Sequence, residues 1–143
     1  MNNMIEVTQR VEFECCYLFQ QQLECHKCKL EVTVSGPQRF EDTGVVISYE
    51  ALKQYMRDIV PNKKFLYNKD DNAGNLVAKA LDLSLSVGSS TQEFDFPISA
   101  ENLVDYFAET LQDTFDRCEP GIILLDMKLR EDASSYVSWR RAP

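Results

Sequence analysis

The sequence predicts an α+β fold, an antiparallel β-sheet with two helices on one face. Three observations predict it. Apolar residues alternate along Met4–Tyr17 and again along Cys28–Val34, the two-residue period of half-buried strands. Apolar residues recur at spacings of three and four after Ser48 and after Ser99, as they do on helices packed by one face. The resulting order is strand, strand, helix, strand or hairpin, helix, strand, strand, which is an α+β pattern.

In the first strand Ile5, Val7, Val11, Phe13, Cys15 and Tyr17 face one way and Glu6, Thr8, Arg10, Glu12 and Glu14 the other. The polar patch Gln20-Gln21-Gln22 leads into a second strand, in which Cys28, Leu30, Val32 and Val34 alternate with Lys29, Glu31 and Thr33. Gly36-Pro37 closes it with turn chemistry, so the two strands should pair antiparallel. After Thr43-Gly44-Val45-Val46-Ile47, Ser48 caps a helix bearing Leu52, Tyr55, Met56 and Ile59, and Pro61 stops it. Lys69–Asn75 is expected to be a solvated loop. Val77–Val87 alternates through Leu81, Leu83 and Leu85 and predicts a strand or a hairpin, turned by Gly88-Ser89-Ser90 towards Phe94 and Phe96. Ser99 caps a second helix carrying Leu103, Tyr106, Phe107, Leu111 and Phe115, which ends before Cys118-Glu119-Pro120-Gly121. Ile122–Glu131 and Tyr136–Trp139 form the last strand pair.

At 143 residues, with 44% hydrophobic side chains, the chain is expected to be one domain over residues 1–143. Its formal charge of −8 argues against a nucleic-acid partner or an anionic membrane, because both would repel it. No apolar run nears the roughly 20 residues needed to span a bilayer, and no basic segment joins an apolar run near the N-terminus. The expected location is therefore cytoplasmic. Five cysteines, four of them between Cys15 and Cys28, are expected to be reduced core thiols or metal ligands rather than a disulfide framework.

One stretch carries chemistry. Glu24-Cys25-His26-Lys27-Cys28 sets the only histidine of the chain between two cysteines at the mouth of the second strand. Alternation directs Cys15, Tyr17, Glu24, His26 and Cys28 to one face and Cys16 and Cys25 to the other. Glu24 and His26 with Cys15 or Cys28 are thus candidate metal ligands, since carboxylate, imidazole and thiolate all bind zinc.

With these elements in hand, the sequence resembles the 6-pyruvoyl-tetrahydropterin synthase family, which includes the bacterial 6-carboxy-tetrahydropterin synthases. Four segments carry the resemblance in order. They are Glu24-Cys25-His26 running into Lys29–Val34, where the family has His-Gly-His; Thr43–Val46 followed by Leu52–Met56; Ser99-Ala100-Glu101-Asn102; and Leu129-Arg130-Glu131. The resemblance implies the T-fold (tunnelling fold), whose subunits join sheets into a barrel, a homo-oligomer that is usually a hexamer. It also implies active sites between neighbouring subunits, so that Glu131 of one is expected to approach His26 of the next.

The resemblance further implies zinc on three histidines, proton transfer by a cysteine, an aspartate and a histidine, and a glutamate anchoring the pterin of dihydroneopterin triphosphate. Carried over residue by residue, the zinc histidines fall on Tyr17, Glu24 and His26, and only the last is kept. The connection Leu18–Leu23 contains no cysteine, and the Asp-His pair falls on Asn62-Lys63, with Lys64 and Leu66 of that motif retained. Glu131 is kept as the anchor, and Ser99 stands where the family has threonine. A carboxylate in that position accepts two parallel hydrogen bonds from a 2-amino-4-oxo pyrimidine edge. The implied function is a divergent member that binds a pterin- or purine-like small molecule at a subunit interface, with the standard zinc-dependent chemistry lost or altered. The alternatives are an active synthase-type lyase with a rebuilt Glu/His/Cys metal site, and a non-catalytic structural subunit.

Overall fold

The structure, a computed structural model, describes residues 4–37, 44–84 and 91–143. β1 (Ile5–Phe19) and β2 (Gln22–Gly36) are fifteen-residue strands that pair antiparallel along their whole length, from Ile5 opposite Gly36 to Phe19 opposite Gln22. The two residues between them, Gln20 and Gln21, have φ of 51° and 67°. Positive φ at both central residues suits the twist of a two-residue hairpin turn, and here glutamines adopt it.

α1 (Tyr49–Ile59) starts at Ser48, whose side chain accepts from Ala51 N–H, and Val60 N–H closes its last turn on Met56 O before Pro61. β3 (Lys64–Asn68) follows, then α2 (Asn72–Ser84) and β4 (Thr91–Phe94). α3 (Ala100–Cys118) is capped by Ser99; β5 (Ile123–Arg130) and β6 (Tyr136–Arg140) complete the chain. Gly121, at φ 97°, turns the chain out of α3 in a left-handed conformation that glycine adopts without a Cβ penalty.

The six strands form one sheet in the order β4-β3-β1-β2-β5-β6. β2–β5 and β5–β6 are antiparallel, whereas β1–β3 and β3–β4 are parallel. The expected α+β class stands, with two parallel pairings added at one end of the sheet. The β1–β3 pairing is made by Lys64–Leu66, and the β3–β4 pairing comes from the Asn68–Phe96 segment, where helix and crossover replace the expected strand.

Val77–Val87 was expected to be strand. Its described part instead belongs to α2, and the loop expected over Lys69–Asn75 already enters that helix at Asn72. Leu76, Ala78, Lys79, Ala80 and Leu81 are strong helix formers, and Asp71 Oδ1 accepts from Ala73 N–H at 3.0 Å at the helix start. Leu85, Val87 and the turn at Gly88-Ser89-Ser90 lie outside the described residues, as does Thr43.

α1 and α3 cover the face on which Val11, Phe13, Leu30, Val32, Val34, Met127 and Leu129 are buried. The expected pair of helices on one face is therefore present. α2 packs on β3 and β4; its Val77 and Leu81 share a cleft with Phe65, Cys16 and Cys25, residues of the opposite face. It is a third helix, laid against the far side of the sheet's parallel end.

Candidate functional site

The site grows from the closed end of the β1–β2 hairpin. Cys15 stands opposite His26, and Tyr17 opposite Glu24, so strand alternation sends all four towards α3. Cys16 and Cys25, also opposite each other, face away and are joined in a disulfide, with Cα atoms 4.0 Å apart. This corrects, for these two, the expectation of reduced core thiols or metal ligands: the register sets them directly opposite each other on neighbouring strands.

Glu131 reaches the site because of a β-bulge. β5 pairs Asp126 with Thr33 but Leu124 with Val34, so Leu125 is an extra residue. The insertion changes which side chains face inward, placing Met127 and Leu129 in the core and Glu131 on the same face beyond them. Tyr17 O–H donates to Glu131 Oε1 at 2.9 Å and Oε2 at 2.8 Å. His26 Nε2 lies 3.1 Å from Glu131 Oε2 and 3.1 Å from Glu24 Oε2. The rings of Tyr17 and His26 pack at 5.5 Å between centroids. Glu131 and His26 thus meet within one chain, not across a subunit boundary as expected, because β2 and β5 are direct neighbours in the sheet.

Burial pushes the Tyr17 phenol well above its usual pKa, and the bond to Glu131 adds to the effect. It is a neutral donor throughout the physiological range. Cys28 is also raised, chiefly by its hydrogen bond with Cys15 and then by burial. Cys15 and Cys28 are both buried and engage each other beneath the site. Ser99 lines, with Tyr17, Glu24, His26 and Glu131, a cleft of about 500 Å³. Its Oγ accepts from Asn102 N–H at 3.1 Å as the α3 cap, which leaves its own hydrogen to donate.

Asn62 and Lys63, where the resemblance would need an acid–base pair, hold the chain to β1. Asn62 Oδ1 accepts from Glu14 N–H at 3.0 Å, and Lys63 N–H donates to Glu14 O. Lys63 has φ 60°, a turn conformation.

Among the described residues, the donors that converge are Glu24, His26 and Glu131, whose ligand atoms all lie within 4.8 Å of one another. Zinc takes imidazole nitrogen and carboxylate oxygen at about 2.0–2.2 Å, so this donor set fits the ion implied by the resemblance. Sequence reasoning reached Glu24 and His26 by alternation but missed the Tyr17–Glu131 contact. The signal was two inward-facing groups of complementary chemistry, concealed by the bulge at Leu125.

A mixed six-stranded sheet with helices α1 and α3 on one face and a polar cleft at the end of its central hairpin defines the T-fold class, and solved structures agree. An uncharacterized protein from Wolinella succinogenes superimposes with a TM-score of 0.75 at 11% identity, covering 98% of this chain and 99% of that one. 6-Pyruvoyl tetrahydropterin synthase from Plasmodium vivax gives 0.72 at 13% identity, with coverage of 98% and 99%. The Caenorhabditis elegans 6-pyruvoyl tetrahydropterin synthase gives 0.67 at 14%, with 99% and 98% covered. A family model described as 6-pyruvoyl tetrahydropterin synthase matches residues 6–142. The chain belongs to that family. No curated protein matches it in sequence.

Proposed function

We propose that this chain binds a pterin- or purine-like heterocycle in the cleft beside Glu131, with the family's standard proton-transfer chemistry lost. The supporting observation is the state of the Glu131 carboxylate. Tyr17 O–H and His26 Nε2 hold it from one flank, and a carboxylate with about four lone-pair sites keeps acceptor capacity for the two N–H groups of a 2-amino-4-oxo pyrimidine edge. Ser99 O–H, lining the same cleft, supplies a donor for a ring nitrogen or carbonyl.

Loss of turnover follows from residue chemistry. Asn62 does not titrate, Lys63 is a cation that would need a strongly lowered pKa to act as a base, and both bond to the Glu14 backbone of β1. Cys28 is held as a thiol by Cys15 and by burial, so it is a poor nucleophile or base. Glu24, His26 and Glu131 are the residues that would hold zinc, and when bound such an ion supplies Lewis acidity to a ligand oxygen.

The reading includes assembly into a homo-oligomer, a hexamer by resemblance, with a neighbouring copy closing the outer wall of the cleft. Phe19 and Tyr136, 42% and 50% exposed, line its rim and supply apolar surface for that contact. A thermal-shift series with neopterin, guanine and sepiapterin tests the binding. Stabilisation of the wild type that Glu131→Ala abolishes is expected; no response to any of the three, or an unchanged response in the variant, contradicts it.

A further inference from the structure

We infer that the Cys16–Cys25 pair is a thiol–disulfide exchange site for a small anionic thiol of the glutathione type. The pair faces away from the Glu131 cleft, and the inference stands whether or not a heterocycle binds there.

Strand alternation divides the cysteines of the hairpin. Cys15 and Cys28 point into the core, where they are buried and hydrogen-bonded to each other. Cys16 and Cys25 point the other way and are joined, with Cys16 half-buried and Cys25 exposed. Exchange requires a sulfur that an incoming thiolate can reach, and Cys25 meets that condition. The hairpin does not need this bond for closure, because β1 and β2 pair along their whole length and a two-residue turn joins them. The same register keeps the two sulfurs face to face after reduction, since Cys16 stands directly opposite Cys25. Reactants held in this way react as if highly concentrated, so a mixed disulfide at Cys25 is within reach of Cys16 and can close again without another protein group.

The surroundings select the thiol. The pair opens into a cleft of about 570 Å³, within the size range of small-molecule sites. Lys27, Lys63 and Lys64 line it against one carboxylate, Glu14, so it attracts an anion although the chain as a whole carries −8. Leu23, Phe65 and Val77 of α2 add an apolar wall. A thiol tripeptide with two carboxylates and one ammonium has the matching charge. In the first step its thiolate sulfur attacks Cys25 Sγ. A sulfur–sulfur bond forms between them, the Cys16–Cys25 bond breaks, and Cys16 Sγ leaves with the electron pair and takes a proton from solvent. A second small thiolate attacks the tripeptide sulfur of the mixed disulfide and releases Cys25 Sγ in the same way. Two small thiols are oxidised to their disulfide while the protein disulfide is reduced to two thiols, and the reverse sequence restores the bond.

Full-length protein carrying Cys118→Ser, which removes the exposed free thiol, is treated in its folded state with reduced glutathione or with cysteamine, a cationic thiol, in chelator-containing buffer. Alkylation and peptide mass spectrometry follow the Cys16–Cys25 bond with time. Expected are opening by glutathione, closure by oxidised glutathione, and an opening rate per thiolate about threefold or more higher for glutathione than for cysteamine. Lys27→Gln combined with Lys64→Gln should remove that preference. With Cys16→Ser added, oxidised glutathione should leave one glutathione on Cys25 and none on Cys15 or Cys28. A bond that glutathione does not open in the folded protein, equal rates with the two thiols, or a preference that survives the lysine changes overturns the proposal. So does glutathione on Cys15 or Cys28 in place of Cys25. Should the Cys16→Ser protein fail to fold by circular dichroism, the opening rates with Cys16 present decide alone by the same criteria.

Discussion

Tyr17 spends its single phenolic hydrogen on both oxygens of Glu131, at 2.9 and 2.8 Å, and the consequences at this scale are measurable. Tyr17→Phe removes a hydrogen bond to a charged acceptor, a loss of about 1.5–3 kcal/mol, which urea unfolding at pH 7 would register. The same contact sets a pH dependence. Tyr17 and Cys28 both have raised pKa values in the folded state, so each contributes stability fully below its unfolded value, about 10 for tyrosine and about 8.5 for cysteine. That contribution is lost as pH rises above those values. Unfolding free energy should therefore fall from about pH 8.5 upwards and more steeply above about pH 10, and Tyr17→Phe should remove the second component; a flat profile between pH 8 and 11 would contradict it. Alternation along β1 and β2 was enough to read Tyr17, Glu24, His26, Cys15 and Cys28 as one face. The partnership with Glu131 was not legible, because the extra residue Leu125 resets which β5 side chains point inward.

At the scale of elements, α1 and α3 both begin where a serine accepts from the backbone three residues on. Ser48 Oγ takes Ala51 N–H and Ser99 Oγ takes Asn102 N–H, each at 3.1 Å. Ser48→Ala, remote from the cleft, is expected to cost about 1 kcal/mol in a denaturant melt while leaving ligand response unchanged. The Cys16–Cys25 disulfide closes a hairpin that the Gln20–Gln21 turn and continuous strand pairing already close. Reduction should therefore cost less than the about 3 kcal/mol that a loop of about 15 residues gives in the chain-entropy account; a larger loss in melts with and without reductant would mean that the bond holds more than the hairpin. Caps and 3.6-residue periodicity made α1 and α3 readable. α2 was not, because leucines at alternate positions suggested a strand while alanine, lysine and leucine propensity, with an Asp71 start signal, favoured a helix. β3 is too short, at five residues, to display a period, and its parallel pairing with β4 depends on the crossover that α2 provides.

Over the whole molecule, one core joins both helices to the central strands. Phe107 lies at its middle, fully buried and edge-on to Phe13 at 6.0 Å, so Phe107→Ala should destabilise the fold by about 3–5 kcal/mol, read by thermal or chemical unfolding. No described helix is long and apolar enough to cross a membrane. That core carries the family fold; the resemblance puts the family's acid–base pair at Asn62 and Lys63, and Glu131 and Ser99 line one cleft. On the proposed function, the heterocycle is recognised at Glu131. Calorimetric titration of neopterin into metal-free wild type and Glu131→Gln tests it most directly. The account predicts saturable binding to the wild type, about tenfold or more weaker in the variant, as expected when a charged acceptor is lost. No binding to the wild type, or equal affinity in the two proteins, would contradict it.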